Sequence, residues 1–454
     1  MKKRRLIMGM LLLGSLVSCD FFGLSSMTRY SDWPSFNNHP NDSLTSGKES
    51  SSPSLSSYGS VDDLIRDEYT YNEEYGWYEK IIEDKNNSYV TSYTAIFNLT
   101  MSYKRSSIRY VIPSYYSKVS FITNSNETYE GKISAQERAT NLTIEVYDLN
   151  LEGYYSTPFD VSQVSSDYKV TISIFGESSF KGGLGSSGNS GTFYDTDNKK
   201  TSGTSRSGGN GSSGSRGEHG IDGNNIEVII NQHAKVSLFA GKGGSGGYGG
   251  DGEAGAGSGI GTSGHGGKGG EGGRGGNGIH SSKNLSIYNY GTLNITGGDG
   301  GSGGYGGDGG NNQDDGTFER AEHGGNGGNG GRGGDGNYAI YVESKNEINL
   351  FGNTITLTGG SGGNGGRGGD GGNSCRNFFQ TSNGGNPGNA GSGGDGGNGV
   401  SGCAFEVKNT KIKNYYGAGG KGGSHGSPGY NSSIGYGSSG SNGKNGTSLG
   451  KDDD

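Results

Sequence analysis

Few residues in this 454-residue chain have chemistry to offer. The thiol of Cys19 closes an apolar run, Leu6 to Val17, which follows Lys2-Lys3-Arg4-Arg5. Cys375 and Cys403 are an even pair, the obvious guess for a disulfide in an oxidising compartment. His265 and His323 each stand 13 residues before the end of a glycine-rich tract, at Gly278 and Gly336. That placement would let two imidazoles share a metal, but Asn386 stands there in the third copy, and polar turn residues are the simpler reading. Tyr248 and Tyr305 align and could stack on sugar rings; Arg367 replaces them in the next copy, and plain solvent-facing tyrosine is the simpler account. Acids on strand segments, such as Glu227, Glu343 and Glu347, are isolated and read as solvated faces. No nucleophile and base pair, phosphate-binding loop or cysteine–histidine metal spacing is present, so no catalytic residue, metal or cofactor is expected.

Composition narrows the partners. The formal net charge is -8 without a basic patch, which makes nucleic acid a poor candidate. Hydrophobic residues are 27% of the chain, and all but nine of the 99 glycines lie beyond Gly176, so two regions with different rules share one chain.

The basic and apolar leader is too short for a permanent membrane span and is a targeting segment. Its end, Leu16-Val17-Ser18-Cys19, resembles the lipobox of bacterial lipoproteins. That resemblance implies cleavage between Ser18 and Cys19, lipidation of Cys19, and a membrane as partner through two or three acyl chains, enough for stable anchoring. The expected location is the bacterial cell envelope, at the outer membrane or cell surface. Asp20 favours inner-membrane retention in enteric bacteria, whereas other phyla sort differently.

After the leader, residues 1–18, residues 19–62 carry the lipidated cysteine and a Ser-rich tether too poor in aliphatics to order itself. Residues 63–117 read as an amino-terminal β cap region, with Tyr69, Tyr71, Tyr75, Trp77 and Tyr78 among acids. Alternation at period 2 marks strands at Tyr93 to Leu99, Ile108 to Ile112, Lys118 to Ile122, Leu142 to Val146 and Val170 to Ile174. Residues 118–180 are expected to form the first solenoid coils, residues 181–430 coils with glycine-rich insertions, and residues 431–454 a disordered tail.

The glycine-rich half is a repeat of about 60 residues. Val236-Ser237-Leu238, Leu293-Asn294-Ile295 and Ile355-Thr356-Leu357 open successive copies, each with an outgoing glycine tract, a non-repetitive tip and a returning tract. Three short strands, as from Tyr338 to Leu357, make one coil, and a coil buries its face only by stacking on neighbours. Leu142-Thr143-Ile144-Glu145-Val146-Tyr147-Asp148-Leu149-Asn150, followed by Val170-Thr171-Ile172-Ser173-Ile174-Phe175-Gly176, resembles coils of right-handed parallel β-helix proteins of the pectate-lyase-like and carbohydrate-binding kind. The predicted fold class is all-β: a parallel β-helix or solenoid with inserted glycine-rich hairpins of polyglycine-II type.

The tracts, such as Gly300-Gly301-Ser302-Gly303-Gly304-Tyr305-Gly306-Gly307-Asp308, have period three, matching three residues per turn of a polyproline-II-type helix. Such a helix has no internal hydrogen bonds, so its backbone must pair with neighbouring tracts or water. Collagen is excluded by glycine at two positions in three and only seven prolines in the chain. Against disordered low complexity stands the common register of Asp251, Asp308 and Asp370 in three successive tracts. With about 14 residues at 3.1 Å each, a returning tract would hold Cys375 roughly 40 Å from Cys403, far beyond disulfide reach of about 7 Å.

The tracts are similar to the polyglycine-II sandwich of bacteriophage tail-fibre adhesins, in which glycine helices hold variable loops against a host receptor. By that resemblance the tips are Gly252 to His265, Gly310 to His323 and Asn373 to Gly385, with Phe318, Arg320, Phe378 and Phe379 as candidate ligand contacts. The implied role is a surface binding or adhesion module whose partner is a glycan or surface receptor. Two alternatives stay open: a carbohydrate-active or carbohydrate-binding β-helix, and a structural envelope or matrix component without a specific ligand.

Overall fold

The computed structural model describes residues 67–75, 77–84, 92–99, 107–123, 127–196, 205–255, 263–312, 323–343, 347–374, 391, 393, 400–401, 404–408, 411–431 and 435–436. Among them there is no helix, so none is long and apolar enough to cross a membrane. The strands form a ten-stranded sheet, a thirteen-stranded sheet and a small two-stranded ladder.

The alternating strands predicted from sequence become coils because each has one apolar side and nothing within its own coil to cover it. Ile221–Gly223, Ile226–Ile230 and Lys235–Phe239 make one coil. Ile279–Ser281, Leu285–Asn289 and Thr292–Thr296 make the next, followed by Ile340–Val342, Glu347–Gly352 and Ile355–Thr358. All pair in parallel, coil on coil. Ile172, Val228, Ile287 and Leu350 stack in register, as do Phe180, Leu238, Ile295 and Leu357, and all eight are buried. Burial of each such side chain contributes roughly 1.5–3 kcal/mol, so the stack as a whole supplies the stability that the glycines withhold.

At the amino-terminal end Thr70–Asn72, Trp77–Asp84 and Ser92–Asn98 are antiparallel, and the last pairs in parallel with Tyr116–Ile122. Trp77 lies against Phe97 and Tyr110, with Tyr75 stacked on it at 4.8 Å, so aromatic rings fill this end of the core.

The hairpins leave from one corner of the coil. Between Asn150–Glu152 and Phe159–Val161 that corner is the short connection 153–158. After Glu177–Lys181, Lys235–Phe239 and Thr292–Thr296 the same corner carries a glycine hairpin, and after Ile355–Thr358 and Ile412–Tyr415 an outgoing glycine tract. The pairing shows the change: Leu142 faces Val170, 28 residues on, whereas Val170 faces Ile226, 56 residues on.

Within the hairpins the backbone bonds recur every third residue. Gly243, Gly246, Gly249 and Gly252 donate N–H groups to the carbonyls of Asp299, Ser302, Tyr305 and Asp308, in the next outgoing tract. Gly244, Gly247 and Gly250 donate to Ser215, Ser212 and Gly209, in the preceding returning tract. The two tracts of one hairpin are joined in the same way, as from Gly267 to Gly250 and from Gly270 to Gly247. This is a polyglycine-II lattice, and it answers where the orphan N–H groups of such helices go.

Close approach, rather than an unusual backbone angle, requires glycine. A Cβ on Gly304 would lie 2.0 Å from the Gly247 carbonyl oxygen, and one on Gly303 2.0 Å from that of Gly331. The ends of the stack relax this rule. In the first hairpin Ser186, Asn189, Thr192, Ser212 and Ser215 stand where inner layers have glycine, because among the described residues no glycine layer lies beneath them. In the final outgoing tract Tyr416, His425 and Pro428 occupy positions whose counterparts in inner layers donate onward, and proline has no N–H to give.

Candidate ligand-binding surface

Since two of every three tract residues face other tracts, the third faces outward, and parallel stacking lines these up in rows across the layers. On the outgoing side one row is Ser190, Tyr248, Tyr305 and Arg367, and the next is Phe193, Asp251, Asp308, Asp370 and Ser427. On the returning side one row is Asn210, Lys268 and Asn329, and another Arg216, Arg274 and Asp335.

The outward N–H is the third donor of each turn, and short polar side chains of the preceding layer take it up. Asp251 Oδ1 accepts from the Asp308 N–H at 2.8 Å, Asp308 Oδ1 from Asp370 at 2.7 Å, and Asp370 Oδ1 from Ser427 at 2.6 Å. Asn210 serves Lys268, Asp299 serves Ser361, and Asn311 serves Asn373 in the same manner. The common register of the three aspartates therefore has a lattice cause. Burial, with repulsion from Asp370 and Asp251 added, raises the Asp308 carboxyl above its ordinary value, against the lowering effect of the Asp370 N–H and of Arg367.

Tyr248 and Tyr305 lie in adjacent layers with ring centroids 5.4 Å apart, tilted by 34°, and both are about half exposed. Arg367, next in their row, holds Asp370 Oδ1 at 2.6 Å. With Phe193, Asp251 and Asp308 these side chains line an open cleft of ≈ 310 Å³.

A second cluster sits where the returning tracts rejoin the coils. Strand register brings Asp160, Asp222, His280 and Tyr341 into one ladder. His280 Nδ1 lies 2.6 Å from Asp222 Oδ1, and its ring stacks between His219 at 4.7 Å and Tyr341 at 5.6 Å. His219, Asp222 and His280 each bring one ligand atom within 4.8 Å of the others. Protonation argues against a three-ligand metal centre: the Asn277 N–H donates to His219 Nδ1 at 2.9 Å, which puts the ring proton of the neutral imidazole on Nε2. Burial first, and then Arg216, pushes the His219 pKa down to about 3, so this ring stays neutral. His219 thus offers a donor and the His280–Asp222 pair a single oriented imidazole, 3.9 Å from Glu343.

Sequence reasoning missed this ladder because Asp222 and His280 are 58 residues apart. The available signal was the short strand after each returning tract, Ile221-Asp222-Gly223, Ile279-His280-Ser281 and Ile340-Tyr341-Val342, whose middle residues align.

No protein-family model matches the chain. No curated protein matches it either. Among solved structures it is similar to a springtail antifreeze protein from Granisotoma rainieri, described as a nine polyproline type II helical bundle whose crystal waters match the ice lattice. Identity is 17%, over 57% of this chain and 92% of that chain, with a TM-score of 0.12. The fold assignment therefore rests on the strand register and the hydrogen-bond lattice.

Of the residues singled out from sequence, Ser18, Cys19, Phe318, Arg320, Phe378, Phe379, Cys375 and Cys403 lie outside the described residues. Two readings are corrected. His265 and His323 are not neighbours in a row: Gly266 donates to the Asn326 carbonyl and Gly275 to that of Asp335, which shifts the register by one full turn of three residues and sets His265 Nδ1 against the Asn326 N–H at 2.9 Å. Glu227 is not a solvated strand acid, since it is largely buried between Lys169 at 3.0 Å and the Thr171 hydroxyl at 3.1 Å.

Proposed function

We propose that this protein is an exported lipoprotein, anchored through Cys19 in the bacterial envelope, that works as a surface binding or adhesion module. The observation that supports this reading is the lattice itself. A stack of glycine hairpins, each rooted at the same corner of a coil and bonded to its neighbours at every third residue, is a stiff platform that carries rows of side chains. Loops and surface rows held by a rigid scaffold are where binding residues concentrate. Preorganised groups also lose less freedom on binding. Phe318, Arg320, Phe378 and Phe379 are the tip residues assigned to contact, and a glycan or surface receptor is the partner class.

Two measurements test this. Labelled palmitate should enter the wild-type protein and not Cys19→Ala, with the wild type protease-accessible on intact cells. Replacing the tip segments 313–322 and 375–385 by Gly-Ser linkers should abolish adhesion to glycan- or receptor-bearing surfaces without altering the β-sheet circular dichroism; unchanged adhesion would favour a matrix component with no specific ligand.

A further inference from the structure

The side chains of Tyr248, Tyr305 and Arg367 make no hydrogen bond between layers, although their backbone carbonyls accept lattice bonds from Gly191, Gly249 and Gly306. In the aspartate row beside it, each carboxylate takes the outward N–H of the next layer. No side chain of the preceding layer reaches the N–H of Tyr305 or of Arg367. The lattice would accept any residue at these positions, and they carry tyrosines that are 52% and 55% exposed, next to Phe193 at 52%. Large exposed rings grouped in a cleft mark a contact surface.

The neighbouring acids give that surface its chemistry. One oxygen of each aspartate is fixed by the lattice, which orients the carboxylate and leaves its second oxygen for a ligand donor. Tyrosine rings offer apolar faces with negative potential, suited to the C–H patches of a pyranose, and ionised carboxylates make strong bonds to paired hydroxyls. Stacked strands set the layers ~4.8 Å apart, close to the length of one sugar unit in a chain. A saccharide lying across the layers would meet a tyrosine ring and a carboxylate in two successive layers, at Tyr248 with Asp251 and at Tyr305 with Asp308. The carboxylates of Asp251 and Asp308 line the cleft, and its one guanidinium, Arg367, is already paired with Asp370, so uronates would be repelled.

We propose that the outgoing face of the hairpin stack, at Tyr248, Tyr305, Asp251 and Asp308, binds an uncharged or amine-bearing oligosaccharide. This rests on the surface-binding reading and locates a ligand site on the shafts of the hairpins rather than at their tips.

The test is an array of neutral, amine-bearing and uronate oligosaccharides probed with the full-length chain in detergent. Cellohexaose, chitosan hexamer and hexagalacturonate are then titrated calorimetrically. Wild type should bind members of the first two classes and reject the third. The double substitution Tyr248→Ala, Tyr305→Ala should weaken binding about tenfold or more, and Asp308→Asn severalfold. Tyr154→Ala, at an exposed tyrosine of a separate cleft, should change nothing. Because the tyrosine side chains make no lattice hydrogen bond, melting temperature and circular dichroism should hold in the tyrosine variants. Absence of binding to neutral and amine-bearing glycans, preference for uronate, or full affinity in the double variant would each overturn the inference. If adhesion still follows the tips while oligosaccharide binding fails, the surface-binding reading stands and this site falls.

Discussion

Gly304→Ala adds one methyl group at a place where the lattice has no room for it. The new Cβ would lie 2.0 Å from the Gly247 carbonyl oxygen, where such contacts are essentially never under 3.0 Å. Two layers must therefore part by an ångström or more. The bonds from Gly304 to Gly270, from Gly246 to Ser302 and from Gly249 to Tyr305, each 2.8 Å, cross this region. Lengthened by that much they exceed hydrogen-bonding distance. Two or three lost bonds at about 1 kcal/mol each, less the ~0.4–1 kcal/mol that alanine returns by stiffening the unfolded chain, leave a net loss of about 2 kcal/mol. Ser302→Ala, at a half-exposed outward position of the same tract, should stay within about 0.5 kcal/mol of wild type. Thermal unfolding followed by near-ultraviolet circular dichroism compares the two. In a flexible polymer Gly304→Ala would be neutral or stabilising, so equal melting of the two variants would refute the close-packed lattice.

Leu238→Ala, in the middle of the Phe180–Leu238–Ile295–Leu357 stack, should cost about 2–5 kcal/mol and lower the melting temperature far more than an outward substitution such as Ser237→Ala. Asp308 has a raised carboxyl, so its contribution to stability is present below the ordinary carboxylate range and is lost as pH rises through its folded value. Asp308→Asn, which keeps an Oδ1 acceptor for Asp370, should melt at or above wild type at pH 7 and lose that advantage in acid, as scanning calorimetry at both pH values will show. His219 is shifted the other way, to about 3, so its contribution is present above its ordinary value of 6.5 and is lost as pH falls toward 3. A nuclear magnetic resonance titration should find its ring neutral at pH 5, and a protonated ring there would contradict its burial against Asn277.

The fold class was legible because two periods were written plainly. Alternation at Val170 to Ile174 and Ile355 to Leu357 gave strands, and glycine at two positions in three gave the polyglycine-II tracts. Register was harder to read. The last paired glycines of the returning tract, near Gly336, mark its end less well than its bonds do, since the lattice runs on to Tyr338; from this came the mistaken pairing of His265 with His323. The first hairpin, with one glycine in three, reads as a weak copy of the repeat, whereas its serines and asparagines reflect its place at the bottom of the stack. The His219–Asp222–His280 ladder stayed hidden because residues 58 apart meet only through parallel pairing. Sequence alignment of the tracts did bring Tyr248, Tyr305 and the three aspartates together. What it lacked was the destination of each outward N–H, and that distinguishes the aspartate side chains, which serve the lattice, from the tyrosine side chains, which do not.

The most direct test of the lattice is residue-resolved amide hydrogen exchange across tract 297–312. The lattice predicts a period-three pattern: Gly300, Gly301, Gly303, Gly304, Gly306 and Gly307 protected, Tyr305 exchanging freely, and Asp308 protected by Asp251. Uniformly fast exchange along the tract would contradict it.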